Sequence, residues 1–408
     1  MVYAPWILST GLLIYGLGIT TPCNADTGLR GYLKSYIIGQ QAIDNSLMQI
    51  EENFRSETSL RLIWQGSDKD SRQDQTLNYA WEIHYELSPM FSNQSFELGP
   101  FQKNHSPAYR LSDVEPLLNK APQRSIRQNL DRLNIQLRLE QGDLTIGRQA
   151  ITFGAARMIN PTDVLLPYNL TALNTEYRIG VDAIRYQRPL GQLGEVDFGY
   201  VFGPGGQPES SVAFIHGKTN LVSTDLSFAA LRFANQTLLG AGLQSALGDM
   251  GFWLETALVN GDLRYWRTST GVDYNFSEAV FGMLEYHYNG AGTDQAKDYL
   301  SRLQAPPYQL GGVFLLGQHY LISSLNFQAT PLTSVAMRAS VNLQDRSSFL
   351  SLSMTYNIFN DLYLAVGLHR FDGKPPSGQY ANPLTPALLT TEYGASPDSV
   401  YAQLSYYF

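Results

Sequence analysis

His84 stands between Glu82 and Glu86, and His287 two residues from Glu285, the residue types of a metal or acid–base site. On one strand, however, residues at i and i+2 project side by side from the same face, and such a triplet is usually a solvated polar stripe. Neither HExxH nor GxSxG occurs, and Gly203 to Gly206 is a loop without the strand–helix unit that a phosphate cradle requires. The single cysteine, Cys23, leaves no partner for a disulfide, a CxxC metal site or covalent haem. The expectation is therefore a protein that is not an enzyme and carries no cofactor. What remains is electrostatic chemistry. Glu82, Glu86, Arg132, Arg138, Glu140, Arg185, Glu255, Arg267 and Arg338 recur on the polar phase of alternating segments, as do Asp273 and Glu285. A mixed-sign set lining a wet interior makes a transverse field that orients permeating solutes, or pairs within itself.

The elements that position these groups alternate with period two. In the segment from Asp131, Leu133, Ile135, Leu137 and Leu139 share one face and Arg132, Asn134, Gln136, Arg138 and Glu140 the other. Val335 to Leu343, Leu350 to Tyr356, Leu77 to Leu87 and Val400 to Phe408 repeat the pattern, and no comparably long period of 3.6 competes with it. The chain is all-β. Among its 408 residues, 16% are charged and 44% hydrophobic, with 25 Tyr and 19 Phe, which excludes a disordered chain. A net charge of -8 with no basic run argues against nucleic acid as a partner.

Half-apolar strands suit a soluble sandwich or a membrane barrel, and three features choose the barrel. Segments of about 11 residues, tilted by ~45°, span ~26 Å, the height of an outer-membrane apolar band. Aromatic residues sit on the apolar side near segment ends: Trp81 and Tyr85, Tyr274 and Phe276, Tyr286 and Tyr288. The chain closes on Tyr406-Tyr407-Phe408, the form of a C-terminal signal for the barrel assembly machinery. Residues 1–25 contain no charged side chain and an apolar centre, with small residues before a cut at Asp26, and read as a secretory signal peptide; 26–408 is then one outer-membrane barrel. Strands are predicted near 29–39, 54–65, 77–87, 129–141, 143–150, 180–190, 193–203, 210–217, 222–234, 237–247, 250–260, 264–276, 278–290, 315–328, 333–344, 347–357, 361–371 and 398–408. That is a single antiparallel transmembrane barrel of 18 strands, with 16 as the alternative count. The long gaps all fall on one side, taken as extracellular, and short periplasmic turns on the other; the segment at 210–217 is needed to keep that parity. Barrels this wide leave an aqueous lumen.

The segment after the fifth strand stands apart: Ile146-Gly147-Arg148-Gln149, then Gly154, Arg157 and Asn160-Pro161-Thr162-Asp163. Asn160 must be extended before Pro161, Thr162 or Asp163 suits the cap of a short helical turn, and the apolar stretch from Val164 could fold inward and narrow the pore. Arg148 is in phase with Leu144 and Ile146, so either a bulge re-aims it or it lies beyond the lipid band, where mid-bilayer Arg would cost ~2–4 kcal/mol. The GRQ…G…R run, continued through Asn160-Pro161-Thr162-Asp163 and Gly180-Val181-Asp182-Ala183, resembles the signature of alginate-export-type barrels and related uncharacterised porins, over roughly 60 residues. The resemblance implies a 16–18-stranded diffusion pore or export channel, with Arg148, Gln149 and Arg157 at the channel wall. Modest luminal basicity departs from a polyanion exporter. The function expected is passive diffusion of small hydrophilic solutes across the bacterial outer membrane. The alternatives are a polymer export channel, or a sheath for a periplasmic multihaem cytochrome that itself holds the haem.

Overall fold

The computed structural model describes residues 27–44, 49–50, 52–67, 78–93, 109–112, 117–121, 123–166, 173, 176–378 and 388–408. The signal peptide expected over residues 1–25 lies outside the described residues. Eighteen strands form the wall. The first nine are β1 Thr27–Gln40, β2 Asn53–Ser67, β3 Asn78–Ser92, β4 Arg124–Leu139, β5 Gly142–Gln149, β6 Val181–Leu190, β7 Gly194–Val201, β8 Val212–Leu221 and β9 Thr224–Phe233. The second nine are β10 Gln236–Leu247, β11 Met250–Asn260, β12 Tyr265–Ser277, β13 Val280–Asn289, β14 His319–Thr330, β15 Thr333–Asn342, β16 Ser348–Phe359, β17 Leu362–Asp372 and β18 Ser399–Tyr407. Each pairs antiparallel with its neighbours, and β18 pairs with β1 to close the cylinder, Tyr32 opposite Tyr407. Closure leaves no edge for another chain to extend. A small hairpin (Ile43–Asp44 with Gln49–Ile50) and a rim strand (Leu117–Ala121, on β4) decorate the loops.

The count of 18 and the eighth strand that parity requires both hold. β8 starts at Val212 rather than 210, because Pro208–Ser210 makes a tight turn before it. The residues between strands also alternate as expected. Turns of two residues at 140–141, 222–223, 248–249, 278–279, 331–332 and 360–361 lie at one end, and the segments 93–123, 150–180, 290–318 and 373–398 at the other.

Pleating puts Leu133, Ile146, Ile184, Leu352 and Val400 on the outside, 40–61% exposed, as a lipid-facing surface requires. The inside departs from a simple wet wall. At the loop end of β6 to β11, inward positions are apolar and buried: Val181, Val201, Val212, Phe233, Leu238 and Val259. Ile151, Phe153, Val164 and Leu165 from the loop after β5, with Tyr299 and Tyr308 from the loop after β13, cover them. The barrel thus contains a hydrophobic core in its own lumen, built between wall and loops.

Candidate functional site

The loop after β5 folds into the barrel, and two wall carboxylates hold it there. Glu255 on β11 accepts the backbone N–H groups of Ala155 (2.6 Å), Ala156 (2.7 Å) and Thr162 (2.8 Å), and the Thr162 hydroxyl at 2.7 Å. Glu285 on β13 accepts the N–H groups of Arg157, Met158 and Ile159 at 2.9–3.2 Å, and the Trp253 indole N–H at 2.8 Å. Between them, Arg267 Nη1 donates to the Pro161 carbonyl (3.2 Å), the Ser269 hydroxyl to that of Ile159 (2.6 Å), and the Gln244 amide to that of Ala155. An irregular segment has no partner strand for its polar backbone, so inside a protein it needs side chains of this kind. Gly242 and Gly240 make the approach possible. A Cβ on either would lie 2.7 and 2.2 Å from Ala155 Cβ and Thr162 Cγ2. Asp163 caps a turn by accepting the Leu166 N–H at 3.1 Å, and pairs with Arg178 at 2.9 Å; burial pushes its carboxyl up to about 6. The helical turn expected there is absent among the described residues.

Two further loops join this plug. Glu392, in the loop after β17, accepts the Leu316 N–H (2.9 Å), the Asn342 amide (2.9 Å) and the Tyr320 hydroxyl, tying the loop after β13 to β14 and β15. Asp345 accepts the Glu392 N–H at 2.8 Å and the Tyr299 hydroxyl at 3.0 Å. Burial raises the Glu392 carboxyl to about 7.

Several of the charges singled out from sequence come together in paired groups. Arg132, Glu82 and Glu86 come together around a residue not singled out, Asp131. A β-bulge opposite His84 and Tyr85 adds Asp131 to the strand, and both it and Arg132 are buried. Asp131 binds Arg61 on β2, Arg132 (3.0 Å) and Arg110 (3.8 Å), and accepts the Gly180 N–H at 2.8 Å. Arg61 also reaches Glu86 at 3.2 Å, under the ring of Tyr177 at 4.2 Å. Glu82 accepts from Asn134 at 2.8 Å and lies 3.5 Å from His84, which so belongs to this network. Arg185 forks onto Asp197 (2.6–3.0 Å). His287 contacts Ser269, whose proton goes to the Ile159 carbonyl beneath the loop. Arg138 is exposed on the inward register at the turn end, and Glu140 is exposed in the following turn. Arg338 faces inward opposite Ser351. Gln149 is buried, its amide 3.3–3.4 Å from the Thr145, Gly147 and Ala183 carbonyls. Arg157 lies on the luminal loop, half exposed, 3.6 Å from Asp273.

Arg148 is different. Its register partner is lipid-facing Leu133, and no bulge re-aims it toward the lumen. It sits near the loop end of β5 and forks onto Asp182 (2.7 and 2.9 Å), with further bonds to the Leu130 and Ser112 carbonyls. The segment 109–112 crosses the rim here, and the Leu111 N–H completes the Asp182 carboxylate at 2.9 Å. A paired arginine roofed by backbone is the reason it stands on the outer face without meeting lipid.

On the opposite side, a pocket of about 470 Å³ opens in the turn-end half of the lumen. Thr355, Tyr363, Ala365, Gln403, Ser405 and Tyr407 line it, with Asp361 and, from the luminal loop, Glu176. Glu176 is held by Lys34 and by the Tyr407 hydroxyl (2.9 Å).

An 18-stranded cylinder with inward-folded loops is the fold of outer-membrane porins, and solved structures bear that out. The chain superposes on OccK5 (OpdH) of Pseudomonas aeruginosa with a TM-score of 0.57 at 8% identity, covering 94% of this chain and 98% of that one. The outer membrane protein OpdK of the same organism gives 0.55 at 10%, over 94% and 99%. OccAB2 of Acinetobacter baumannii gives 0.54 at 11%, over 94% and 98%. No known family profile matches the sequence, the alginate-export type included, and no curated protein matches it.

Proposed function

We propose that the protein is an outer-membrane porin, passing small hydrophilic solutes by passive diffusion through a lumen narrowed by its own loop. The observation that carries this is the clamp of residues 155–162 on Glu255 and Glu285, which fixes a constriction inside an 18-stranded barrel. The structural neighbours, outer-membrane porins themselves, support the same reading. Glu82, Glu86, Arg132, Arg138, Glu140, Gln149, Arg157, Arg185, Glu255, Arg267 and Arg338 form its inner wall or the groups that hold it. Residues 1–25 serve as the export signal, and Phe408, whose N–H bonds to the Gly31 carbonyl at 3.0 Å, engages the assembly machinery.

Two alternatives lose ground on specific features. A cytochrome sheath needs an empty bore, whereas three loops of this chain pack against each other inside the wall. Polymer export of the alginate type needs a run of exposed cations, whereas Arg61, Arg132 and Arg185 are spent on Asp131, Glu86 and Asp197. Purified protein in a planar lipid bilayer tests the proposal. Steady ohmic conductance is expected. A silent barrel that co-purifies with haem protein would replace the porin with the sheath.

A further inference from the structure

The luminal wall is strongly asymmetric. From β2 to β4, charged side chains are dense, and those around Asp131 pair with one another. From β15 to β18, the inward positions are Ser334, Ala336, Arg338, Ser340 and Asn342; Phe349, Ser351, Ser353, Thr355 and Asn357; Tyr363, Ala365, Gly367, His369 and Phe371; and Ser399, Tyr401, Gln403, Ser405 and Tyr407. Arg338 is the one full charge among them, and small residues with hydroxyl or amide groups dominate.

The pocket of about 470 Å³ lies on this wall, within the size range of small-molecule sites. Its polar groups suit a solute that both gives and takes hydrogen bonds. Thr355 and Ser405 carry hydroxyls that can do either, while the Tyr363 and Tyr407 hydroxyls, whose protons go to the Asn360 carbonyl and Glu176, remain acceptors. The Gln403 amide already donates to Ser405 Oγ at 2.7 Å, leaving its carbonyl oxygen as an acceptor. Tyr363 and Tyr407 meet edge to face, centroids 5.8 Å apart, and supply an amphipathic corner for C–H faces. The charged groups in its lining, Glu176 and Asp361, are carboxylates, and the Lys34 ammonium is held by Glu176, so an anionic solute finds no available counter-charge there.

Resting on the porin reading, we infer that this pocket is a binding subsite for a neutral polyhydroxylated solute of mono- or disaccharide size, with Gln403 and Thr355 as its specificity-determining side chains. A sugar presents alternating hydroxyl donors and acceptors over a compact apolar ring face, which is the pattern this lining complements.

The test is solute-induced block of single-channel current in planar bilayers. Maltose serves as the neutral probe, with glucuronate and glucosamine as charged controls. Maltose should block at lower concentration than either control. Gln403→Leu and Thr355→Val should each weaken that block about 2- to 10-fold, the worth of one hydrogen bond, while Gln403→Asn keeps most of it. Unchanged KCl conductance in each variant shows that the barrel has folded. A silent wild-type channel overturns the porin reading and this inference with it. An open channel that ignores maltose, prefers a charged probe, or is blocked equally in Gln403→Leu overturns this inference alone.

Discussion

Truncating Glu255 should release the constriction, and the structure sets how strongly. In Glu255→Ala, three backbone N–H groups and the Thr162 hydroxyl lose their acceptor together. An unsatisfied buried donor costs about 1–3 kcal/mol, and water entering the vacated space recovers part of that. About 3 kcal/mol remains at the low end for the three N–H groups, enough to shift the clamped-to-released ratio by ~150-fold. Glu255→Gln should be milder. Its amide nitrogen can replace Oε1, which faces only Thr162, leaving the oxygen toward Ala155 and Ala156. One N–H bond is then lost, about 1–3 kcal/mol, while the Thr162 hydroxyl can turn to accept. Single-channel recording should show larger and noisier conductance in Glu255→Ala than in Glu255→Gln, and protease should cut within 151–166 in the same order. Conductance and protease resistance equal to wild type in both variants would refute the clamp.

Replacing Arg148 by Ala should leave reversal potential unchanged but destabilise the rim, because it strands Asp182 in a partly buried site; breaking such a pair costs about 3–5 kcal/mol, read as a lower temperature for the heat-induced mobility shift on gels. Neutralising Arg132 and Arg138 together should shift reversal potential toward cations, with Arg138 contributing most because Arg132 is already paired; unchanged selectivity would remove both from the pore wall. Glu392 has its carboxyl raised from 4.5 to about 7, so the folded state binds the proton more tightly than the unfolded chain and stability falls as pH rises between those values. Protease resistance of the loop after β17 should therefore be greater at pH 5 than at pH 7.5, and Glu392→Gln should flatten that difference.

The wall was legible because lipid and water impose a strict period of two, which Leu133 against Asn134 or Leu352 against Ser353 display directly. Loop parity carried the count, and with it β8. The filled lumen was not legible from the same rule. Val201, Val212 and Phe233 face inward yet are apolar because they meet loop residues rather than water, and alternation treats every inward site as wet. Strand ends apolar on both faces, such as Ala213-Phe214-Ile215 in β8, were the available signal. Glu255 and Glu285 were placed on the inner face, but their work as clamps depends on a loop over 90 residues away in sequence. Asp131 is not legible from alternation because a bulge shifts the phase by one residue. Arg148 stands out in the sequence by its phase with Leu144 and Ile146, whereas its partner Asp182 emerges only from the β5–β6 register.

The account depends most on which side of each strand is wet. Single cysteines placed at 133, 184 and 352, and at 145, 353 and 403, in protein reconstituted in lipid can be spin-labelled and their access to oxygen and to a water-soluble relaxant compared. The first three should favour oxygen and the second three the aqueous reagent. Equal access at both sets, or protection of all six from both reagents, would contradict a lipid-spanning cylinder with an aqueous interior.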